Sequence, residues 1–344
     1  MAVRALAPLR AAFILIMSAG LLVSSASASM LDDYKGKVVR LVNGGAAGSG
    51  FDLYSRMLAP WLEKKLGTTV VVESRPGAGM MTAMNHVWMQ PPDGLTLMLA
   101  PGEGAVLAKI IDDKAIRFDM TQFGILARVN TAPRVMIVNP KSGYDKPADF
   151  FRANKVLQIG ANGKTDAVAD TASIMCHALK IKCKITIGYQ SSADFALAAV
   201  RGEVDATILV EDSAARYAQN NQLRGFVVTA RERSKLMPGV PTIYEALNLS
   251  QDAQDWLDYR ESIRKIGRLL IVPPHTDPQK LAFLRDVARS ILTDPEAMAE
   301  FAQQQQPALY GAPEEIEALI KTSLTGLTPE RQKQVQSIIS DEFY

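Results

Sequence analysis

The sequence predicts an α/β fold made of two similar units, and three observations carry that expectation. Short runs of β-branched and apolar residues alternate with helical patterns. The alternation restarts after Pro133. In each unit a glycine-containing turn leads from a strand into a helix. The chain has 344 residues, 48% hydrophobic and 22% charged, enough for two domains and unlike a disordered or disulfide-scaffold protein.

In the first unit Val38 to Val42 reads as a strand, Asn43 to Gly50 as a glycine-rich turn, and a helix begins near Phe51 with Leu53, Met57, Leu58, Trp61 and Leu62 on one side. Pro60 inside it predicts a kink. Thr69 to Glu73 is the next strand, S-R-P-G-A-G leads to a methionine-rich helix over Met80 to Met89, and Thr96 to Ala100 is a third strand. Short loops between alternating strands and helices predict parallel sheets. In the second unit Val135–Val138, Leu157–Gly160, Ile185–Ile187, Ala206–Val210 and Leu223–Thr229 read as strands. Helices are expected at Pro147–Arg152, Ala167–Leu179 and Ala193–Val200. Leu269–Val272 is a strand that could rejoin the first sheet. Helices at 279–292, 295–303, 313–324 and 329–339 follow it, several opening on proline.

Composition narrows the function. Lys plus Arg number 38 against 36 for Asp plus Glu, so there is no basic excess to neutralise a nucleic acid. Arg4 and Arg10, the apolar run Ala11 to Val23 and the small residues Ala26-Ser27-Ala28 form the three parts of a secretory signal, with cleavage expected after Ala28. Without residues 1–28 the chain holds 36 basic and 36 acidic residues and is neutral. The two cysteines, Cys176 and Cys183, are seven apart and permit either a bridge from a helix end to the next strand or two buried thiols. His86, His177 and His275 show no paired spacing for zinc.

The glycine turns point to a ligand. Gly44-Gly45 and Gly48-Ser49-Gly50 let backbone amides at a helix start approach an anion closely. A dinucleotide site fails on spacing because Leu53 stands where a third glycine is needed, and neither a phosphate loop nor a G-x-S-x-G elbow is present. The turn recurs at Gly163-Lys164-Thr165-Asp166, so G-F-D at Gly50 to Asp52 has a counterpart in K-T-D at Lys164 to Asp166. Two such turns facing each other describe a clamp for a small anion.

The residues G-S-G-F-D-L-Y-S-R-M-L-A, V-V-V-E-S-R-P-G-A-G, P-D-G-L-T-L, I-G-Y-Q-S-S-A-D-F-A-L-A-A-V-R-G-E-V-D and M-P-G-V-P-T-I-Y-E-A-L resemble the tripartite tricarboxylate transporter substrate-binding proteins, the Bug or TctC family. The resemblance covers nearly the whole mature chain. It implies a two-lobed periplasmic binding protein that captures a small carboxylate between its lobes and docks transiently on a membrane permease, without catalysis or cofactor and as a monomer. The first loop departs from the common P-F-x-x-G-G-x-x-D, with Ser49 between glycines. The usual W-Y-G-L-L-A-P lacks its W-Y-G, with G-R-L-L-I-V-P-P in its place.

The lobes are expected to comprise residues 29–132 with 260–344, and residues 133–259, leaving extra helices at the C-terminal side. Ligand contacts are expected from Gly48, Ser49, Gly50, Phe51, Asp52, Gly77, Ala78, Gly79, Ala161, Asn162, Gly163, Lys164, Thr165, Asp166, Tyr189 and Gln190. Asp52 and Asp166 read both as helix caps and as loop-ordering groups, and Lys164 as a second positive contact favouring a diacid or an acid with another polar group. Glu211 and Asp212 are repulsive beside an anion unless they hold a cationic group or water. Two other readings share this sequence: a ligand sensor for a membrane kinase, and a periplasmic α/β enzyme acting on a small acid. The second would need a nucleophile with a base, or a metal cluster.

Overall fold

The computed structural model describes residues 30–153 and 155–344. The expected signal peptide and its cleavage site lie outside the described residues. Among the described residues ten strands form two five-stranded sheets. The first contains β1 (Val38–Asn43), β2 (Thr69–Ser74), β3 (Thr96–Pro101), β4 (Gly124–Asn130) and β10 (Arg268–Val272), in the order β2-β1-β3-β10-β4. The second contains β5 (Arg134–Val138), β6 (Leu157–Gly160), β7 (Cys183–Thr186), β8 (Ala206–Val210) and β9 (Arg224–Val228), in the order β7-β6-β8-β5-β9. The fold is therefore α/β with two lobes.

The sheets are mixed rather than purely parallel. β10 runs antiparallel to β3 and β4, and β5 antiparallel to β8 and β9. The cause is chain routing, because β5 and β10 are the strands by which the chain enters each sheet from the other lobe. All residues of β3, β5 and β10 are buried, as interior strands covered on both faces require, whereas the edge strands β2 and β7 are partly exposed.

Helices cover the faces. In the first lobe α1 (Gly50–Leu66) follows β1, a 3₁₀ turn (Ala78–Met80) and α2 (Met81–Trp88) follow β2, and α3 (Gly102–Ile110) follows β3. α1 runs unbroken through Pro60, whose side is exposed, and buries Tyr54, Leu58 and Leu62 against the sheet. In the second lobe α4 (Pro147–Arg152) precedes β6, α5 (Ala167–Leu179) follows it, α6 (Ser192–Arg201) follows β7, and α7 (Glu211–Gln219) follows β8. After β9 come the short α8 (Ile243–Ala246) and α9 (Gln251–Arg264). α3, β4, α7, α8 and α9 are additions to the elements expected from sequence. α3 is buried on almost every side, so it shows no amphipathic stripe to read.

The remaining helices are α10 (Pro278–Leu292), α11 (Pro295–Gln303), α12 (Pro313–Thr325) and α13 (Pro329–Ser340). α10 and α12 pack on β4, while α13 packs on α5 of the second lobe and also reaches α3, where Gln332 and Gln336 donate to the Ile110 carbonyl. The chain passes from one sheet to the other at 131–133, between β4 and β5, and returns at 265–267, between α9 and β10, a few residues beyond the 259/260 boundary expected from sequence. These crossings are tied together, since the Thr131 hydroxyl donates to the Arg264 carbonyl at 2.9 Å. Gly267 has φ +73° and lies so close to the Asn130 carbonyl that no Cβ would fit.

Cys176 on α5 and Cys183 on β7 form a disulfide with Cα atoms 6.2 Å apart, which decides between the two alternatives left by the sequence. It closes the turn that carries α5 into edge strand β7. Denatured protein should show no free thiol before reduction, and replacing both cysteines by alanine should cost about 2 kcal/mol of unfolding free energy. Two titratable thiols per chain in the oxidised protein would contradict this.

Candidate functional site

The helices α1, α3, α5, α6 and α7, and the 3₁₀ turn before α2, all start at the carboxyl ends of strands and aim their first turns at one cavity between the lobes. Its volume is about 240 Å³. The two glycine turns face each other across it and are built alike. The Gly48 N–H donates to Asp52 Oδ2 at 2.9 Å, and the Asn162 N–H donates to Asp166 Oδ2 at 3.0 Å. Each aspartate thus pins the backbone four residues before it. Asp166 is also the N-cap of α5, accepting from the Val168 N–H, whereas α1 is capped by Ser49, which accepts from the Asp52 N–H. The Gly50 and Phe51 amides, at the start of α1, have no hydrogen-bond acceptor among the described residues.

The lobes touch along small residues. Gly77, Ala78, Gly79 and Met80 all have positive φ, at 132°, 48°, 59° and 75°. For Ala78 and Met80 that conformation is strained, of order 1–3 kcal/mol each. It turns the loop toward the second lobe, where a Cβ on Gly79 would stand 3.2 Å from both the Asp166 nitrogen and Thr165 Oγ1. A Cβ on Gly163 would stand 3.3 Å from the Gly79 nitrogen, and one on Gly104 only 2.7 Å from the Thr165 carbonyl oxygen.

Buried charges cross the same boundary. Glu103 on α3 takes Arg134 of β5 through both carboxylate oxygens, at 2.8 and 3.1 Å, and Arg260 of α9 at 2.9 Å. Arg260 also binds Asp170 of α5 at 2.6 Å, and Arg268 of β10 binds Asp212 of α7 at 3.1 Å. Burial pushes the Glu103 carboxyl up, but the two arginines outweigh it and hold it below its ordinary value. Burial dominates for Asp170, raised to about 6, and for Asp166, also raised. For Asp52 burial is opposed by Arg56, the Gly48 N–H and Ser74, and the result lies below the ordinary value. Arg134, Arg260 and Arg268 are outnumbered by Glu103, Asp166, Asp170 and Asp212, all buried. Net side-chain charge therefore does not favour an anion here, whereas free helix-start amides are the kind of group that does.

The family model for the tripartite tricarboxylate transporter family receptor, TctC, matches residues 54–327. The chain belongs to that receptor family. Protein BugT of Bordetella pertussis is 22% identical over 293 residues, covering 84% of this chain and 86% of BugT. Among solved structures, the periplasmic binding protein BugD superposes with a TM-score of 0.74 at 19% identity, covering 89% of this chain and 98% of BugD. MatC of Rhodopseudomonas palustris, solved with bound malate, gives 0.73 at 18%, covering 89% of this chain and all of MatC. The two-lobed fold is common to all three chains.

In this TctC-family receptor the cavity wall includes Ser49, Gly50, Phe51, Gly77, Ala78 and Gly79 from the first lobe, and Asn162, Thr165, Asp166, Tyr189 and Gln190 from the second. Gly48, Asp52, Ala161, Gly163 and Lys164 stand behind it. Gly163 shapes the contact of the second turn with the Ala78-Gly79 loop, and Asp52 orders the first turn. The Lys164 ammonium donates to the Ser340 carbonyl and lies 4.9 Å from the centre of the Tyr344 ring. It anchors the segment after α13 and does not face the cavity. The wall also contains Glu103, Arg134, Ser213 and Arg268, which the sequence reading did not place there. Their signal in sequence was position alone, since each sits at a strand end or at the helix start that follows one.

Gly104 lies inside a helix, so valine is tolerated by its backbone, yet its side chain would run into the carbonyl of Thr165 on the other lobe. Gly104→Val should therefore enlarge the radius of gyration in small-angle scattering at saturating ligand and weaken binding at least tenfold, with little change in melting temperature. Scattering and affinity equal to the wild type would show that the lobes do not meet at this point.

Proposed function

We infer that this protein is a periplasmic solute-binding protein that captures a small organic acid between its two lobes and presents it to a tripartite tricarboxylate-type permease in the membrane. The observation that supports this most is the pair of matched turns, because both, with the helix starts that follow them on separate lobes, line one cavity. Amides at helix starts favour a carboxylate, each charge-assisted hydrogen bond contributing about 1.5–3 kcal/mol. The fold agrees with that task, since a ligand held by both lobes stabilises the closed arrangement through contacts absent from the open one. The protein acts as a monomer, docks transiently on the permease and carries out no chemistry on its ligand. The family's receptor role favours transport over enzymatic turnover.

Among the described residues no helix is long and apolar enough to cross a membrane, consistent with a receptor that meets its permease from outside the bilayer. The membrane-kinase sensor remains the same binding event read by a different partner, and nothing in the cavity favours it. MatC binds malate, an organic acid of the size this cavity admits.

Mass spectrometry of the purified protein should reveal a copurifying small acid, and calorimetry should give that acid at least roughly tenfold tighter binding than its neutral amide, the least a single charge-assisted bond supplies. Equal affinity for acid and amide would replace the anion clamp with an apolar pocket.

A further inference from the structure

We propose that Arg268 is the specificity-determining residue of the cavity: it meets the ligand carboxylate at the start of α1, and Asp212 on the opposite lobe holds it there. The inference rests on the carboxylate reading and adds a named cation to it. Two arginines line the cavity, and they are not equivalent. Both Nη atoms of Arg134 are taken by Glu103. In Arg268 only Nη1 is bound to an acid, at 3.1 Å from Asp212 Oδ2. Its Nη2 lies over the first turn, 3.1 Å from where a Cβ on Gly50 would be, with Ser213 Oγ 3.7 Å from the same point. Gly50 and Phe51 line the cavity beside Arg268, so a carboxylate accepting from their free N–H groups comes within reach of Nη2.

The guanidinium is held for this task. It lies 4.7 Å from the Tyr54 ring centre and 5.3 Å from that of Phe51, and these aromatic faces fix its position. Asp212 is itself oriented by the Ser213 hydroxyl, at 2.9 Å, and Arg216 donates to that hydroxyl at 3.1 Å. The acid that would repel an anionic ligand is thereby committed to the cation. Glu211, its neighbour, is turned away and accepts from the Ser234 hydroxyl and the Lys235 N–H. Burying Arg268 without Asp212 would leave an uncompensated charge, and burying it with two acids would cancel its pull on the ligand. One acid on one end of the guanidinium leaves the other end for the carboxylate. Asp212 is on α7 and Arg268 on β10, so the ligand, the arginine and the aspartate assemble only when the lobes are together.

The test compares acid and amide pairs, succinate with succinamide, adipate with adipamide and benzoate with benzamide, by calorimetry on the full chain. Arg268→Gln leaves Asp212 unpaired in the interior, so the double variant Arg268→Gln with Asp212→Asn is measured beside it as a charge-balanced control for folding. In wild type the acid should be preferred. In the double variant that preference should fall by roughly ten- to a hundredfold, the range of one charge-assisted hydrogen bond, while amide binding changes little. Arg268→Lys should keep part of it. A purely structural role would weaken acid and amide equally, and an unchanged acid-to-amide ratio in the double variant would overturn the proposal. A wild-type chain that prefers none of the acids would instead overturn the carboxylate reading, and this inference with it.

Discussion

The anion clamp we propose requires N–H donors from both lobes at hydrogen-bond distance, and that requirement accounts for much of this molecule. Backbone donors reach a common point only where side chains are small, and Gly79, Gly104 and Gly163 each leave no free room for a side chain against the other lobe. The donors must also be unpaired, which is why they come from first turns of helices, where no intrahelical acceptor exists. Both sheets therefore present their carboxyl ends to the same space. The antiparallel strands β5 and β10 follow from the same requirement, because a chain that visits two lobes and returns has to enter each sheet from the hinge side.

Charge supports this arrangement without producing it. Of the buried pairs, Glu103–Arg134, Glu103–Arg260 and Asp212–Arg268 join the lobes, while Arg260–Asp170 ties α9 to α5. Each pair costs desolvation that its attraction roughly offsets, so the pairs contribute register and closure more than stability. Glu103 illustrates the point. It stands on α3 of the first lobe and meets Arg134 on β5 and Arg260 on α9, both on the second-lobe side of the crossings.

The sequence made the local features legible. Strand, turn and helix at 38–66 and again at 157–179 could be read from β-branched runs, glycine spacing and a 3.6-residue period, and eleven of the sixteen expected site residues line the cavity. What escaped were features decided by tertiary geometry. The Arg268–Asp212 pair joins residues 56 apart and the Glu103–Arg260 pair residues 157 apart, with no local pattern to announce either. Lys164 sits within the second glycine turn, but its long side chain points to Ser340 and Tyr344, and sequence position does not tell which way a flexible side chain points. β4 and α3 were missed because a segment buried on all sides carries no alternation between polar and apolar faces.

The central claim is that one ligand carboxylate is held by amides of two turns on separate lobes. Amide nitrogen–proton NMR of the labelled protein, titrated with its copurifying acid, tests this most directly. The account predicts the largest downfield proton shifts at Gly50 and Phe51 in the first turn and at Thr165 and Ala167, which line the cavity at the second turn and the start of α5, saturating together at one concentration. Shifts confined to one turn, or centred on residues away from both, would contradict it.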